Sequence, residues 1–290
     1  NKFPLLAVEN NCILSKDADI TACFEVRLPE LFTVASAEYE AIHSAWHKAI
    51  KTLPDFTVIH KQDWYIKENY TPDLAKEDQS FLAKSYQRHF NERPFLNHYC
   101  YLFLTKTTKE RMRMQSNFSS LCKGTLIPKE IRDKETIHRF MEAVAQFERI
   151  VNDSSFVSLR RLTEEDIIGT DEKQGLLEQY LTLSKEAGAP MQDIALSAEE
   201  VRIGNKRLSL HTLSDTDDLP GTVSADTRFE KLSTDRSDCR LSFAAPVGLL
   251  LSCNHIYNQY LFLDNSEANL QKFEKCARNM HSLARYSRAN

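Results

Sequence analysis

The sequence predicts an α+β protein in which mixed or antiparallel sheets pack against helices. Segments rich in β-branched and aromatic residues alternate with segments whose apolar residues recur at helical spacing. Hydrophobic residues make up 42% and charged residues 27% of the 290 residues, which is typical of a globular protein with a sizeable core. The seven glycines are too few for a glycine-rich ligand loop or a glycine-based repeat. The length allows one large or two modest domains.

The sequence of residues 1–125 predicts an α/β subdomain whose elements follow the order ββαβαβ. Ser36 can cap the first helix, whose apolar residues recur with a period of about 3.6 residues from Ile42 through Trp46 to Leu53. Pro94 ends the second helix because proline lacks an amide donor. The predicted elements are strands 12–14 and 20–28, joined by the polar turn 16–19, then helix 36–53, strand 56–66, helix 73–93 and strand 96–105.

Residues 126–290 predict a helical segment that is followed by a β-rich subdomain and a terminal helix. Helix 133–151 has a continuous apolar face from Ile137 to Val151. Thr163 begins a short helix in the manner of a capping box, and Gly204-Asn205 forms a hairpin turn. The remaining predicted elements are helix 175–183, strands 201–203, 207–212, 241–244, 249–254 and 260–263, a turn near 256–258 between the last two strands, and helix 269–288.

The terminal helix is predicted from a regular stripe of apolar residues. Leu270, Phe273, Ala277, Met280 and Ala284 line one side of it. We therefore expect two α/β subdomains, residues 1–125 and residues 126–290, with the terminal helix leading out of the second.

The charge of the chain is uneven although its net value is only −4. Residues 105–139 contain nine Lys/Arg and four Asp/Glu, whereas residues 163–200 contain ten Asp/Glu and two Lys. These stretches are expected to be solvated faces, or complementary surfaces that meet between subunits or partners. The segment 243–251 is the longest apolar run and is shorter than the roughly 18 residues of a membrane helix. The seven cysteines form no C-x-x-C pair, which is typical of reduced, buried thiols in the cytosol.

Motifs for phosphate chemistry are incomplete in this sequence. No G-x-x-x-x-G-K-[ST] loop occurs, and Lys123-Gly124-Thr125 has the residue types in the wrong order. Residues 260–264 resemble a Walker B strand that ends in Asp264, but Asn265 follows where Glu is usual. We therefore expect a strand that enters a turn here, and no ATP or Mg²⁺ site in this chain.

Other catalytic and metal-binding patterns are also weak. His43 and His47 lie one helical turn apart, but they flank the apolar stripe and are expected to be solvated. The sequence 120–123 matches S-x-x-K without the companion motifs of Ser–Lys acyl enzymes. His255 lies among apolar residues, where a structural hydrogen bond is expected. The sequence thus predicts no catalytic, cofactor-binding or metal-binding residue.

Three long segments carry a resemblance to a known family. They are FPLLAVENNCILSKDADITACFEV at 3–26, RPFLNHYCYLFLTKTTKERMRMQSNFSSL at 93–121, and the stretch 219–264 that begins LPGTVSADTRFEKL. They resemble the amino-terminal region of the TraG-type conjugation ATPases of Bacteroides-like conjugative transposons, and the resemblance covers essentially the whole chain. In that family a P-loop domain hydrolyses ATP, and its ATP- and Mg²⁺-binding residues are expected beyond Asn290.

The resemblance implies a non-enzymatic assembly and docking domain of a type IV secretion ATPase. The implied partners are other secretion-channel proteins at the inner membrane, together with self-association. The implied location is cytoplasmic and peripheral to that membrane through partners. Direct contact with the transferred DNA is the alternative function. The candidate contact residues are Lys106, Lys109, Arg111, Arg113 and Lys123, and the candidate exposed loop contains Asp217, Asp218, Pro220 and Gly221.

The alternative function gives a testable prediction. If the basic segment 105–139 binds single-stranded DNA, affinity should fall as salt rises, because each neutralised phosphate releases counterions. Replacement of Lys109, Arg111 and Arg113 by Ala should weaken binding in a fluorescence anisotropy titration. Absence of binding by the unmodified chain at low salt would rule this function out.

Overall fold

The computed structural model has the predicted α+β class, with helices and antiparallel sheets. The residues that it describes are 5–16, 19–29, 34–70, 80–107, 133–182, 184–185, 192–212, 227–228, 233–236, 240–241 and 253–287.

The described part of the chain contains six helices and twelve strands. Helices α1 to α6 span Ser36–Ile50, Phe81–Asn91, Lys134–Asp153, Glu164–Ile168, Leu176–Thr182 and Ser266–Ser287. Strands β1 to β12 span Leu5–Glu9, Cys12–Ser15, Ile20–Arg27, Thr57–Glu68, Phe95–Lys106, Ser158–Arg161, Ile194–Leu196, Val201–Ile203, Lys206–Leu208, Thr227–Arg228, Arg240–Leu241 and His255–Leu263.

Seven of these strands form the main sheet. Their order is β1-β2-β3-β5-β4-β12, and β6 pairs with β3. The pairs β1–β2, β2–β3 and β3–β6 are antiparallel, with Cys12 opposite Ala22 and Phe24 opposite Arg161. Two smaller antiparallel sheets contain β7-β8-β9 and β10-β11. The predicted hairpin of residues 12–28 and the ββαβαβ order are therefore present, preceded by the unpredicted strand β1.

The chain divides into two compact units, and each unit is made of segments that are separate in the sequence. The first unit contains Asn1–Lys61, Tyr101–Thr163 and Asn258–Asn290, and the second contains Gln62–Cys100 and Glu164–Tyr257. The predicted domain boundary between residues 125 and 126 lies outside the described residues. The division into domains 1–125 and 126–290 therefore stays a prediction.

The core of the first unit lies between its strands and the helices α1 and α3. Phe140, Val144 and Phe147 on α3 are completely buried, together with Phe24 of β3. Trp46 of α1 packs edge-on against Phe147, with 5.4 Å between the ring centroids. This confirms the helical spacing predicted for both helices, because the residues on the predicted stripes are those that face the core.

Local hydrogen bonds fix where these helices begin and end. The carboxylate of Asp133 accepts hydrogen bonds from the backbone N–H groups of Glu135 and Thr136 at the start of α3. At the other end, the Asn152 side chain accepts from the N–H of Leu159 and donates to its carbonyl. The end of α3 is thereby tied to β6. Ser36 is the first residue of α1 and not its cap, since Ala35 takes that position and donates its N–H to Glu38.

The second unit buries a smaller set of apolar residues. Trp64 is completely buried, and its indole N–H donates to Gln62 at 3.0 Å. The loop between α4 and α5 requires glycine at two places. Gly169 has a φ of +99°, and a Cβ on Gly175 would lie 2.2 Å from the carbonyl carbon of Ile168. These glycines therefore allow the two short helices to follow each other closely.

The predicted turn near residues 256–258 is wrong, because β12 runs without interruption from His255 to Leu263. Within this strand, the side-chain oxygen of Asn258 bonds to Nε2 of His60 on β4 at 2.8 Å. The contact joins residues 198 positions apart, so no local pattern reveals it.

Two further helix boundaries differ from the prediction. The described part of α2 begins at Phe81, because the Ser80 hydroxyl caps it by accepting from the Ala83 N–H. Residues 71–79, where this helix was predicted to begin, lie outside the described residues. Helix α6 begins at Ser266, because the Asn265 side chain accepts from the Ala268 N–H at 2.8 Å.

The cysteines differ in burial more than predicted. Cys12 and Cys23 are buried, and burial raises the pKa of both thiols. Cys253 and Cys276, in contrast, are exposed. The prediction of buried thiols is therefore correct for Cys12, Cys23 and Cys100 and wrong for Cys253 and Cys276.

Replacing Phe147 by Ala should lower the free energy of unfolding by about 3–5 kcal/mol, because the ring is completely buried and its loss leaves a cavity beside Trp46. Urea denaturation followed by circular dichroism measures this change. Arg149→Ala, on the exposed side of the same helix, is the matched control. A loss below about 1 kcal/mol for Phe147→Ala would contradict the assigned core.

Candidate interaction surfaces

Of the predicted basic contact residues, only Lys106 lies in the described part of the chain. It ends β5, donates from Nζ to the carbonyl of Asp55 at 2.5 Å, and lies 5.7 Å from the Phe56 ring centroid. It is therefore engaged within the first unit. The other predicted residues lie outside the described residues: Lys109, Arg111, Arg113 and Lys123, and the loop residues Asp217, Asp218, Pro220 and Gly221.

Two of the weak motifs lie within the described residues. His43 and His47 are exposed on α1. Asp264 and Asn265 connect β12 to α6, and Asn265 caps that helix. Residues 120–123 lie outside the described residues. Among the described residues, no group of three His, Cys, Asp or Glu side chains could hold a metal ion.

Helix α2 of the second unit exposes the apolar face that an amphipathic helix normally buries. Phe81, Leu82 and Tyr86 are 82%, 77% and 67% exposed. No residue of this helix is buried, and its half-buried positions are instead Ala83 and Gln87, one turn apart. At about 100° per residue, Phe81, Leu82 and Tyr86 lie roughly 80–140° around the helix from the midpoint of the two half-buried positions. The sequence alone predicts this helix but not which side faces the solvent.

Basic side chains border the apolar face of α2. Lys84, Arg88 and His89 are exposed, and the Arg88 guanidinium pairs with Glu92 at 2.7 Å. Tyr86 packs on Phe90, with 4.5 Å between the ring centroids, and Phe90 also contacts Tyr70. Aromatic residues and arginine are enriched at the centres of protein–protein interfaces. This surface, which we call the α2 surface, therefore has the composition of an interface.

Helix α6 of the first unit is exposed over most of its length. Leu270, Phe273, Met280 and Leu283 are between 60% and 72% exposed. Every residue from Leu270 to Ala284 is classed as exposed. The predicted apolar stripe is thus present, but it is not covered by any described part of the chain.

The second unit also contains a stacked column of three rings. Tyr65 lies between His98 and His255, with centroid distances of 4.8 and 4.6 Å. The buried Asp63 carboxylate bonds to Nε2 of His98 at 2.8 Å. Burial raises the pKa of Tyr65 to about 12, and the negative charge of Asp63 acts in the same direction.

His255 makes the structural hydrogen bond that the sequence predicts. Its Nδ1 lies 2.8 Å from the carbonyl oxygen of Cys253 and donates to it. Its buried Nε2 has no hydrogen-bond partner in the described structure. With Nδ1 bonded to a backbone oxygen and no carboxylate or hydroxyl on Nε2, the ring has the surroundings of a packing residue.

Tyr99 lies in a second set of polar contacts. Its hydroxyl donates to Glu68 at 2.5 Å, and the Asn97 amide donates to the other oxygen of that carboxylate at 2.8 Å. The Lys185 ammonium lies 4.4 Å from the Tyr99 ring centroid and 5.5 Å from that of Trp64. Burial and the bond to Glu68 raise the pKa of Tyr99 to about 12. The two ring contacts hold Lys185 against β4 and β5.

Comparison with protein-family models finds a match at the start of the chain. Residues 1–44 match the model of a domain of unknown function that is described as a B. theta gene description (DUF3875). This match fits a Bacteroides-derived protein. No curated protein matches the chain. Among the described helices, none is long and apolar enough to cross a membrane.

The two tyrosines should make stability depend on alkaline pH. Each keeps its proton to about pH 12 in the fold, whereas an unfolded tyrosine loses it near pH 10. The unfolded state thus binds fewer protons in this range. The stabilisation is complete below about pH 10 and is lost as pH rises through about 12.

Urea denaturation of Tyr65→Phe at neutral pH and near pH 11 measures this dependence. The variant keeps the ring stack and should lose less stability than the unmodified chain between the two conditions. Tyr86→Phe, at an exposed tyrosine, is the control and should behave like the unmodified chain. An unchanged alkaline loss in Tyr65→Phe would contradict the assignment.

Proposed function

We propose that this chain is the amino-terminal assembly and docking domain of a TraG-type conjugation ATPase. The observation that carries the proposal is the α2 surface, where Phe81, Leu82 and Tyr86 face the solvent. Exposed aromatic side chains in one patch are unfavourable unless a partner covers them.

The chemistry of the α2 surface specifies the kind of partner. Its apolar centre requires an apolar groove, and Arg88, about 20° from Phe81 around the helix, favours an acidic residue at the rim of that groove. We therefore propose that α2 docks as a helix into a groove on a secretion-channel protein at the inner membrane. Such docking would attach the ATPase to the membrane through its partner.

Two other observations support the choice of family. The segments 3–26, 93–121 and 219–264 resemble the corresponding parts of these ATPases. The match of residues 1–44 to a family with a Bacteroides description is consistent with that source. In this proposal, ATP hydrolysis belongs to the P-loop domain of the parent protein, and this chain supplies contacts.

Nucleic-acid binding gains no support from the described geometry. Lys106 is engaged with Asp55 and Phe56, and the remaining basic candidates lie outside the described residues. Direct DNA contact therefore stays a prediction of the sequence.

Tyr86→Asp tests the docking role in the full-length protein that carries this chain. It should lower the frequency of conjugative transfer about tenfold or more, because a buried carboxylate in an apolar interface costs at least the 1.4 kcal/mol that a tenfold change requires. It should also release the protein from the membrane fraction of donor cells.

Asn91→Asp is the matched control, because it adds one carboxylate to the same helix on the side away from the apolar face. It should leave both readouts unchanged. Circular dichroism should show that both variants keep their helix content. Equal transfer frequencies for Tyr86→Asp, Asn91→Asp and the unmodified protein would refute docking through α2.

A further inference from the structure

The three-stranded sheet of the second unit has two edges that differ in charge. Its strands follow the order β7-β8-β9, so β7 and β9 are the edge strands. Strand β9 carries Lys206 and Arg207, and charged side chains of this kind hinder the pairing of a further strand. Strand β7, in contrast, consists of Ile194, Ala195 and Leu196 and carries no charge. The β7 edge therefore lacks the protection that the β9 edge has.

The backbone of β7 offers hydrogen-bonding groups at its outer edge. Just before β7, the carbonyl of Asp193 accepts a hydrogen bond from the Gly204 N–H at 2.9 Å, so the backbone of Asp193 faces β8. Successive residues of a strand direct their backbone groups to opposite sides, and those of Ile194 and Leu196 therefore point away from β8. No strand in the described part of the chain pairs with this edge. Such a row of donors and acceptors is matched by another extended polypeptide segment.

The apolar side chains of β7 specify one face of such a segment. Ile194 and Leu196 lie on the same face of the sheet and are 55% and 76% exposed. Their opposite residues on β8 are Ile203 and Val201, so the apolar surface continues across the sheet. A strand that pairs with β7 would place alternate side chains beside Ile194 and Leu196. Apolar residues at those positions would bury the exposed surface.

A negative charge on the other face specifies one further position. Asp193 is exposed and lies on the face opposite to that of Ile194. The two described ion pairs of this sheet join the Nε atoms of Arg202 and Arg207 to the carboxylate of Glu200, at 2.5 and 3.9 Å. They leave the Asp193 carboxylate without a cation among the described residues. A lysine or arginine opposite Asp193 would supply one.

A second copy of β7 does not supply this cation. Residues 192–200 contain no Lys or Arg, whereas they contain Asp193, Glu199 and Glu200. Pairing of this segment with its own copy would therefore leave Asp193 without an opposite charge in any register of these residues. The charge of this edge thus selects against self-pairing and favours a different protein as the partner.

We infer that β7 is a docking edge for an extended segment of a partner protein, in which apolar and polar residues alternate and a basic residue lies opposite Asp193. The segment joins the sheet as a fourth strand through hydrogen bonds to the backbones of Ile194 and Leu196. In this mode of recognition, main-chain hydrogen bonds give affinity and alternate side chains give specificity. The interface is separate from docking through α2, because no residue of that helix takes part.

A synthetic peptide tests this inference on the 290-residue chain. The probe is a capped Thr-Val-Thr-Val-Lys-Thr peptide, which in antiparallel pairing places its valines beside Leu196 and Ile194 and its lysine opposite Asp193. NMR of the backbone amides should show larger shifts at Ile194 and Leu196 than at Arg207 on the other edge. The same peptide with glutamate in place of lysine should bind about threefold more weakly at low salt, and high salt should remove the difference.

Variants of the chain separate the backbone contribution from the charge. Leu196→Pro removes an outward N–H, which an edge strand tolerates. It should weaken binding about fivefold or more relative to Leu196→Ala, which loses the same side chain but keeps the N–H. Asp193→Lys should reverse the preference, so that the glutamate peptide binds more tightly. Circular dichroism should show that all three variants keep the fold.

The outcomes separate the alternatives. Shifts at β7, a preference for lysine that Asp193→Lys reverses, and weaker binding by Leu196→Pro than by Leu196→Ala support the inference. Absence of these shifts, or equal binding by the two Leu196 variants, overturns strand addition at β7. Equal binding of the lysine and glutamate peptides overturns the basic partner. A dimer of the unmodified chain in light scattering that Leu196→Pro dissolves would assign the edge to a second copy and also overturn the inference.

Discussion

The first unit depends on the burial of one face of α3 against its strands. Phe140, Val144 and Phe147 fill the space over β3 and β5, and the Asn152 contact with Leu159 fixes where the chain returns to the sheet. A strand that slipped by one residue would turn its buried residues to the solvent. The packing of α3 therefore selects the register of β3 and β6 as well as the position of α1.

Apolar residues at helical spacing form the buried face of α3, but on α2 and α6 they are exposed. Both helices carry amphipathic sequences, yet Tyr86 and Phe273 face the solvent whereas Phe147 is buried. Exposed apolar faces raise the free energy of the isolated chain. Under the proposed function, the exposed face of α2 is the surface that a partner covers. The stacked rings around Tyr65 are, in contrast, an internal packing feature.

Local patterns in the sequence predict most elements and few of the contacts between them. Helices α1 and α3 follow from apolar spacing, because their stripes are buried as the periodicity requires. The turn predicted at residues 256–258 fails because Asn258 bonds to His60, a partner far away in the chain. Nor could periodicity show that Ala83 and Gln87 are the half-buried positions of α2, since that orientation depends on the rest of the unit.

Oxidative footprinting of methionines tests directly whether the core over α3 is closed and the face of α6 is free in the isolated chain. Met141 packs against the core, whereas Met280 is 64% exposed. Met280 should be oxidised much faster than Met141 in dilute solution, because only Met141 is packed against the core. Equal protection of both residues in dilute solution would show that the chain itself covers α6 and would contradict the account.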